Sequence, residues 1–275
     1  MNIKEYLNIP DEVTVTLRTV VFWDNTDLPY PTDCTSLYEN STAKCLKIKD
    51  TSNVTNAQKM FFQCNSLEYI NKFDTSNVGN FLQTFQSCRA LKFIPELNTS
   101  KATSTDSMFN SCESIKTIPP IDTSNVTNMA NMFNGCKKLI YLPELDTSKN
   151  TRMNGFLQCY GGIQTLKSLP KFKCGNVTNM SGFFYYSKVD MPNLTDVGGF
   201  EDLKCNWNDN SGLVCLSNLT YQSCINVLNG LYDFTGNGET PTSSQGKLKV
   251  HQNFLDTVGE KIDIANEKGW VVSAT

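Results

Sequence analysis

Apolar residues in this chain recur on a fixed beat. Between residues 45 and 159 each unit carries two apolar clusters separated by polar, turn-forming residues. In the unit from Ile121 to Leu142, the first cluster is Val126, Met129, Met132 and Phe133, spaced i, i+3, i+6, i+7. That spacing predicts one face of a short helix. Asp122-Thr123-Ser124-Asn125 in front of it reads as an N-cap, and Gly135 as its stop. The second cluster, Leu139-Ile140-Tyr141-Leu142, is bounded by breakers and predicts a short strand ended by Pro143.

The clusters line up in columns. One column holds Met60-Phe61, Thr84-Phe85, Met108-Phe109, Met132-Phe133 and Phe183-Phe184; another holds Leu67/Ile70, Leu91/Ile94, Ile115/Ile118 and Leu139/Leu142. Cys64, Cys88, Cys112 and Cys136 are 24 residues apart, and Cys159 follows after 23. Asp50-Thr51-Ser52, Asp74-Thr75-Ser76, Asn98-Thr99-Ser100, Asp122-Thr123-Ser124 and Asp146-Thr147-Ser148 keep the same step. A unit this small cannot bury an apolar face alone, and stacking neighbours makes the core continuous. The expected fold is therefore α/β, a solenoid of about 24-residue strand–helix units between two caps. After Cys159 the register slips: Tyr160-Gly161-Gly162 intervenes, and the step from Asp146 to Lys173 is 27. Either Ile163–Leu166 or Leu166–Leu169 supplies the sixth strand, and Ser187 stands where another Cys is expected.

Residues 1–44 are expected to form an N-terminal cap or a docking element, with a strand or hairpin at Val13–Trp23. Residues 45–200 form the repeat array, and 201–275 a divergent α/β C-terminal cap. In that last part Thr220 is expected to cap a helix over 221–231. A strand at 247–250, a helix over 253–268 and a final strand from Trp270 should follow.

Composition narrows the function. The chain has 275 residues, 19% charged, with a net charge of −3, so no global basic field recruits nucleic acid or an anionic membrane. No run of about 18 apolar residues predicts a membrane span. Met1–Pro10 lacks the apolar core of a secretory leader, which is read as a natural start without export. The 11 cysteines are read as buried free thiols, those on the repeat step filling an equivalent slot, and no Cys-x-x-Cys pair suggests a metal site.

Catalytic constellations are sparse. His251 is the single histidine and is assigned a surface or cap role. Asp233–Gly238 fails as a calcium loop, because Thr235 and Ser244 occupy ligand positions. Asp24-Asn25-Thr26-Asp27 could hold a hard cation only with partners from elsewhere. The Asn-x-Ser/Thr sequons at Asn53, Asn98, Asn125, Asn176, Asn193 and Asn218 are partly a product of the repeat. No catalytic residue, metal or cofactor is expected. The candidate binding surface is the outward side of the strand column. One set of positions is Tyr69, Phe93, Thr117 and Tyr141, with Thr165 as an extension; the other is Glu68, Lys92, Lys116 and Ile140. At about 5 Å per unit they make a strip roughly 20–25 Å long, with apolar ring faces suited to sugar or to a protein partner.

The phrase Phe-x-x-Cys-x-x-Leu-x-x-Ile/Leu followed by Asp-Thr-Ser-Asn-Val-Thr-Asn-Met resembles the leucine-rich repeats of the BspA-like surface-protein family. It is carried by Thr51–Asn56, Thr123–Met129 and Asn176–Met180 and covers residues 45–200. Leu219–Asp233 and Ile264–Trp270 are similar to tails of repeat proteins of gut bacteria and their phages. The resemblance implies adhesion rather than catalysis. The expected role is a non-enzymatic phage virion component made in the host cytoplasm, a fibre, tail or capsid decoration. Its partners would be a host-surface glycan or protein, or other virion subunits, with homo-oligomerisation left open. A bacterial BspA-like cell-surface adhesin is the alternative. A carboxylate-dependent glycan-processing enzyme is a third, using Glu96 and Glu144 at about 10 Å.

Overall fold

The structure, a computed structural model, describes residues 30–48, 50–184, 191, 193–205, 217–243 and 245–274. The expected 13–23 hairpin, the Asp24–Asp27 cluster, Ser187, Pro192 and the loops of 206–212 lie outside the described residues. Each 24-residue unit is one coil, and successive coils pair in parallel. Asp33, Asn56, Asn80, Ser104, Asn128, Arg152 and Asn179 bridge one to the next. On another arc, β1 (Cys45–Leu46) pairs with β2 (Tyr69–Ile70), with Cys45 opposite Tyr69.

The expected helix of each unit is replaced by successive turns. A helix sends every N–H back four residues. Here Met60 and Phe62 send theirs back three, to Ala57 and Lys59, while Lys59, Phe61 and Gln63 donate to Leu82, Thr84 and Gln86 of the next coil. The alternation requires left-handed backbone at every fourth residue: Lys59 and Gln63, Gln83 and Ser87, Ser107 and Ser111, Asn131 and Gly135. Such residues end a helix, at a cost of about 1–2 kcal/mol each outside glycine, offset by the bonds between coils. The turns still place an apolar residue inward every three to four positions, so the sequence pattern is the same for both structures.

The Asp-Thr-Ser segments are not helix caps either. Asp122 Oδ1 accepts from the Ser124 N–H at 2.9 Å, an Asx-turn, and Thr123 Oγ1 donates to the Asp146 carbonyl of the next coil at 2.9 Å. Thr51, Thr75, Thr99 and Thr147 do the same, so these buried hydroxyls are satisfied coil by coil.

The core is a column of rings. Tyr38, Phe61, Phe85, Phe109 and Phe133 stack with centroids 5.2–5.8 Å apart. Beside them, the thiols of Cys64, Cys88, Cys112 and Cys136 donate to carbonyls of the preceding coil at 3.0–3.2 Å. All described cysteines are free and buried. Burial pushes the Cys88, Cys112 and Cys136 thiols well up, leaving them unreactive.

Beyond the slip, Tyr141 bridges to Ser168 and the Lys167 N–H donates to Ile140, so Leu166–Leu169 is the strand slot rather than Ile163–Leu166. β3 (Ser168–Leu169) pairs with β5 (Asp196–Val197), and β4 (Phe172–Lys173) with β6 (Phe200–Glu201), all parallel. Helix α1 (Tyr221–Gly230) packs on β5 and β6, capped by Thr220 Oγ1 accepting from the Ser223 N–H. β7 (Lys247–Val250) pairs in parallel with β8 (Val271–Ala274). The helix expected over 253–268 is broken: α2 (Gln252–Val258) ends at Gly259, whose φ is 52°, and a 3₁₀ turn leads into α3 (Asp263–Glu267). His251 caps α2, its Nδ1 accepting from the Asn253 N–H at 3.1 Å.

Candidate functional site

The arc between each Cys and the following Pro carries the sequence-derived candidates. It starts with a turn, since the Leu139 N–H donates to the Cys136 carbonyl, and continues as an extended stretch hydrogen-bonded to its neighbours. Equivalent residues therefore stand one above another, about 4.8 Å apart.

The aromatic column is not uniformly exposed. Tyr69 is only 8% exposed, seated beside buried Cys45 in the β1–β2 pair, and is not part of an outward strip. Burial pushes its phenol up. Phe93 is half-buried, Thr117 exposed, and Tyr141 46% exposed. The next member is Ser168, not Thr165. The 27-residue step shifts Thr165 to the turn, where its hydroxyl donates to the Leu139 carbonyl at 2.7 Å. Exposure of this column thus increases along the stack toward Tyr141. Tyr160, in the three-residue insertion, is 85% exposed.

The second column reads Lys44, Glu68, Lys92, Lys116, Ile140, Lys167. Glu68 is half-buried and takes Lys92 at 2.6 Å and Lys44 at 3.9 Å. Lys116 is exposed and has no ion pair among the described residues. Lys167 lies over the Tyr141 ring, its Nζ 5.8 Å from the centroid. Nearer the turn, Glu113 pairs with Lys137 at 2.8 Å, and Lys138 beside it is exposed. Lys138 and Lys167 were missed in the sequence. Lys167 becomes visible once the slip is aligned on Leu166 rather than Ile163.

The two carboxylates weighed for catalysis sit on the arc after the Pro. Glu96 is exposed and bonded to Lys72 at 2.6 Å, which holds its carboxyl below the usual range, away from the raised value a general acid needs. Glu144 is exposed. An open cavity of about 500 Å³ lies between Lys72–Thr75 of one coil and Glu96–Asn98 of the next. Among the described residues no group of three or more His, Cys, Asp or Glu could hold a metal ion, and no helix is long and apolar enough to cross a membrane.

Residues 32–139 and 115–196 match the family model described as "Mycoplasma protein of unknown function, DUF285". The chain belongs to this family. The DUF285 match spans more than half of the chain and includes every coil of the arc around Tyr141, ending before α1. Comparison with curated proteins and with solved structures finds no match.

Proposed function

We propose that this chain is a non-enzymatic attachment protein whose coils form a leucine-rich-repeat-like solenoid of the BspA-like kind. In this reading the arc around Tyr141 binds a glycan or protein on a host surface. The observation that carries the reading is the exposed Tyr141 ring with the Lys167 ammonium over it, set in a column of regularly spaced side chains. An exposed aromatic face with polar neighbours is the chemistry that stacks on sugar rings or anchors a protein contact.

The carrier is proposed to be a phage virion, in line with the similarity of Leu219–Asp233 to tails of repeat proteins of gut bacteria and their phages. A bacterial cell surface is the second reading, favoured by the bacterial name of the family model. Immunogold labelling of lysates and intact cells separates the two.

The test of attachment is a glycan array with whole-cell binding, comparing the wild type with Phe93→Ala/Tyr141→Ala. Loss of binding in the folded double variant is expected. Unchanged binding, or none by the wild type, would overturn the assignment to this arc.

A further inference from the structure

The arc carries more positive charge than an acidic chain needs for its own pairing. Lys92 and Lys116 occupy the same slot of neighbouring coils, about 4.8 Å apart along the stack. Like charges directly opposite are destabilising in a ladder. Glu68 relieves one of them, holding Lys92 at 2.6 Å, and Lys116 keeps no counter-charge among the described residues. One coil further on, Lys137 is taken by Glu113, yet Lys138 is a further exposed cation. Lys167 then closes the row, drawn over Tyr141. Lys116, Lys138 and Lys167 thus present three ammonium groups on three successive coils: Lys116 and Lys167 share the slot that Ile140 fills between them, Lys138 stands two residues before Ile140, and Lys167 covers the most exposed ring of the neighbouring column. The chain as a whole is at −3, so this excess is local.

We propose that this face binds a linear polysaccharide bearing regularly spaced anionic groups, with Tyr141 against a sugar ring and Lys116, Lys138 and Lys167 against the anions. The inference rests on the attachment reading above and names its ligand class. An exposed cation on each of three successive coils matches a polymer whose charges also repeat, and complementary charge steers and orients such a chain. A nucleic acid fits less well. Its denser phosphates call for a broad basic field, whereas Glu68 and Glu113 interrupt the cations of this face.

The experiment uses the full chain and four polymers: polygalacturonate, dextran sulfate, neutral dextran and polythymidylate. Binding is followed by affinity electrophoresis and calorimetry over a salt series. We expect one of the two charged polysaccharides to bind more tightly than dextran and polythymidylate, and to weaken as salt rises. Lys116→Ser/Lys138→Ser/Lys167→Ser, with an unchanged circular dichroism spectrum, should weaken that binding at least about tenfold. The matching triple Arg variant should retain it. Equal binding by the Ser variant, equal binding of dextran, or tighter binding of polythymidylate would overturn the inference. If the array shows a neutral glycan lost in Phe93→Ala/Tyr141→Ala while neither charged polysaccharide binds, this inference falls and the attachment reading stands. If the array and both polysaccharides are blank, both fall.

Discussion

The coils before Cys159 and those after it are built from the same kinds of residues and pack differently. In the first group the bridged positions from Asn56 to Arg152 keep a step of 24, and a residue meets its own kind. Phe lies on Phe with planes 7–10° apart from Phe61 to Phe133, and each thiol reaches a carbonyl of the preceding coil. At the slip this order ends. Phe133 meets Phe156 at 89°, and Phe156 meets Phe172 at 83°. The Cys159 thiol turns to the carbonyl of its neighbour Tyr160 at 3.8 Å. A constant step lets one solution to the packing problem serve many times. A changed step forces a new one: edge-to-face contacts stand beside pairs that still stack, Phe156 on Phe183 at 29° and Phe172 on Phe200 at 17°, and glycine moves into close quarters.

The strongest way to break the regular half is Phe109→Ala, which removes a fully buried ring from the middle of the column. A loss of about 3–5 kcal/mol is expected by urea denaturation. In the irregular half, Gly230→Ala should destabilise by about 1–3 kcal/mol, although alanine ordinarily favours a helix. The added Cβ would lie 2.7 Å from the Phe200 carbonyl oxygen, a backbone atom that cannot step aside.

The boundary itself offers a gain. Asn150 occupies the slot of Val54, Val78, Val126 and Val177, is fully buried, and has no partner for either side-chain polar atom. Asn150→Val should raise stability by about 1–3 kcal/mol, seen as a higher urea midpoint. No change in midpoint would mean the amide is satisfied in solution.

The smallest effects are in pH. The Ser124 N–H and hydroxyl hold the Asp122 carboxyl below its usual value, and Ser76 and Ser148 act likewise on Asp74 and Asp146. A depressed carboxyl stabilises above its unfolded pKa, and that contribution is lost as pH falls through the folded one. Asn98 fills the same slot and accepts from the Ser100 N–H at 3.1 Å without titrating. The triple Asp→Asn variant at 74, 122 and 146 should therefore fold as before and lose stability less steeply between neutral pH and pH 3; parallel pH curves would contradict this. At the alkaline end, burial raises Cys205 and Cys224 from 9.0 to about 11. Stability from these groups is intact below 9 and declines from there toward 11, as the unfolded chain ionises first. Thermal melts across that window, against Cys205→Ala/Cys224→Ala, check the sign.

The period of the chain and the inward columns were legible in the sequence, because burial leaves the same mark whatever the backbone does. The local conformation was not. Val126, Met129, Met132 and Phe133 face inward at a spacing shared by a helix and by a run of turns. The deciding feature is the left-handed backbone of Asn131 and Gly135. The strand arc was legible as a ladder, but alternation says only that a residue points away from the core. It does not tell that Tyr69 is covered while Tyr141 is open. Lys167 was hidden by the slip, since it joins Lys116 only after three residues are set aside as an insertion.

The coil-to-coil bonding also has a mechanical side. The hydrogen bonds that seal the Thr hydroxyls and the left-handed N–H groups run along the stack axis, and each joins a coil only to its neighbour. No bond in these ladders spans three coils. A pull on one end therefore loads a single seam at a time, and the chain should unzip like stitching, releasing about 80 Å of thread with every 24-residue coil.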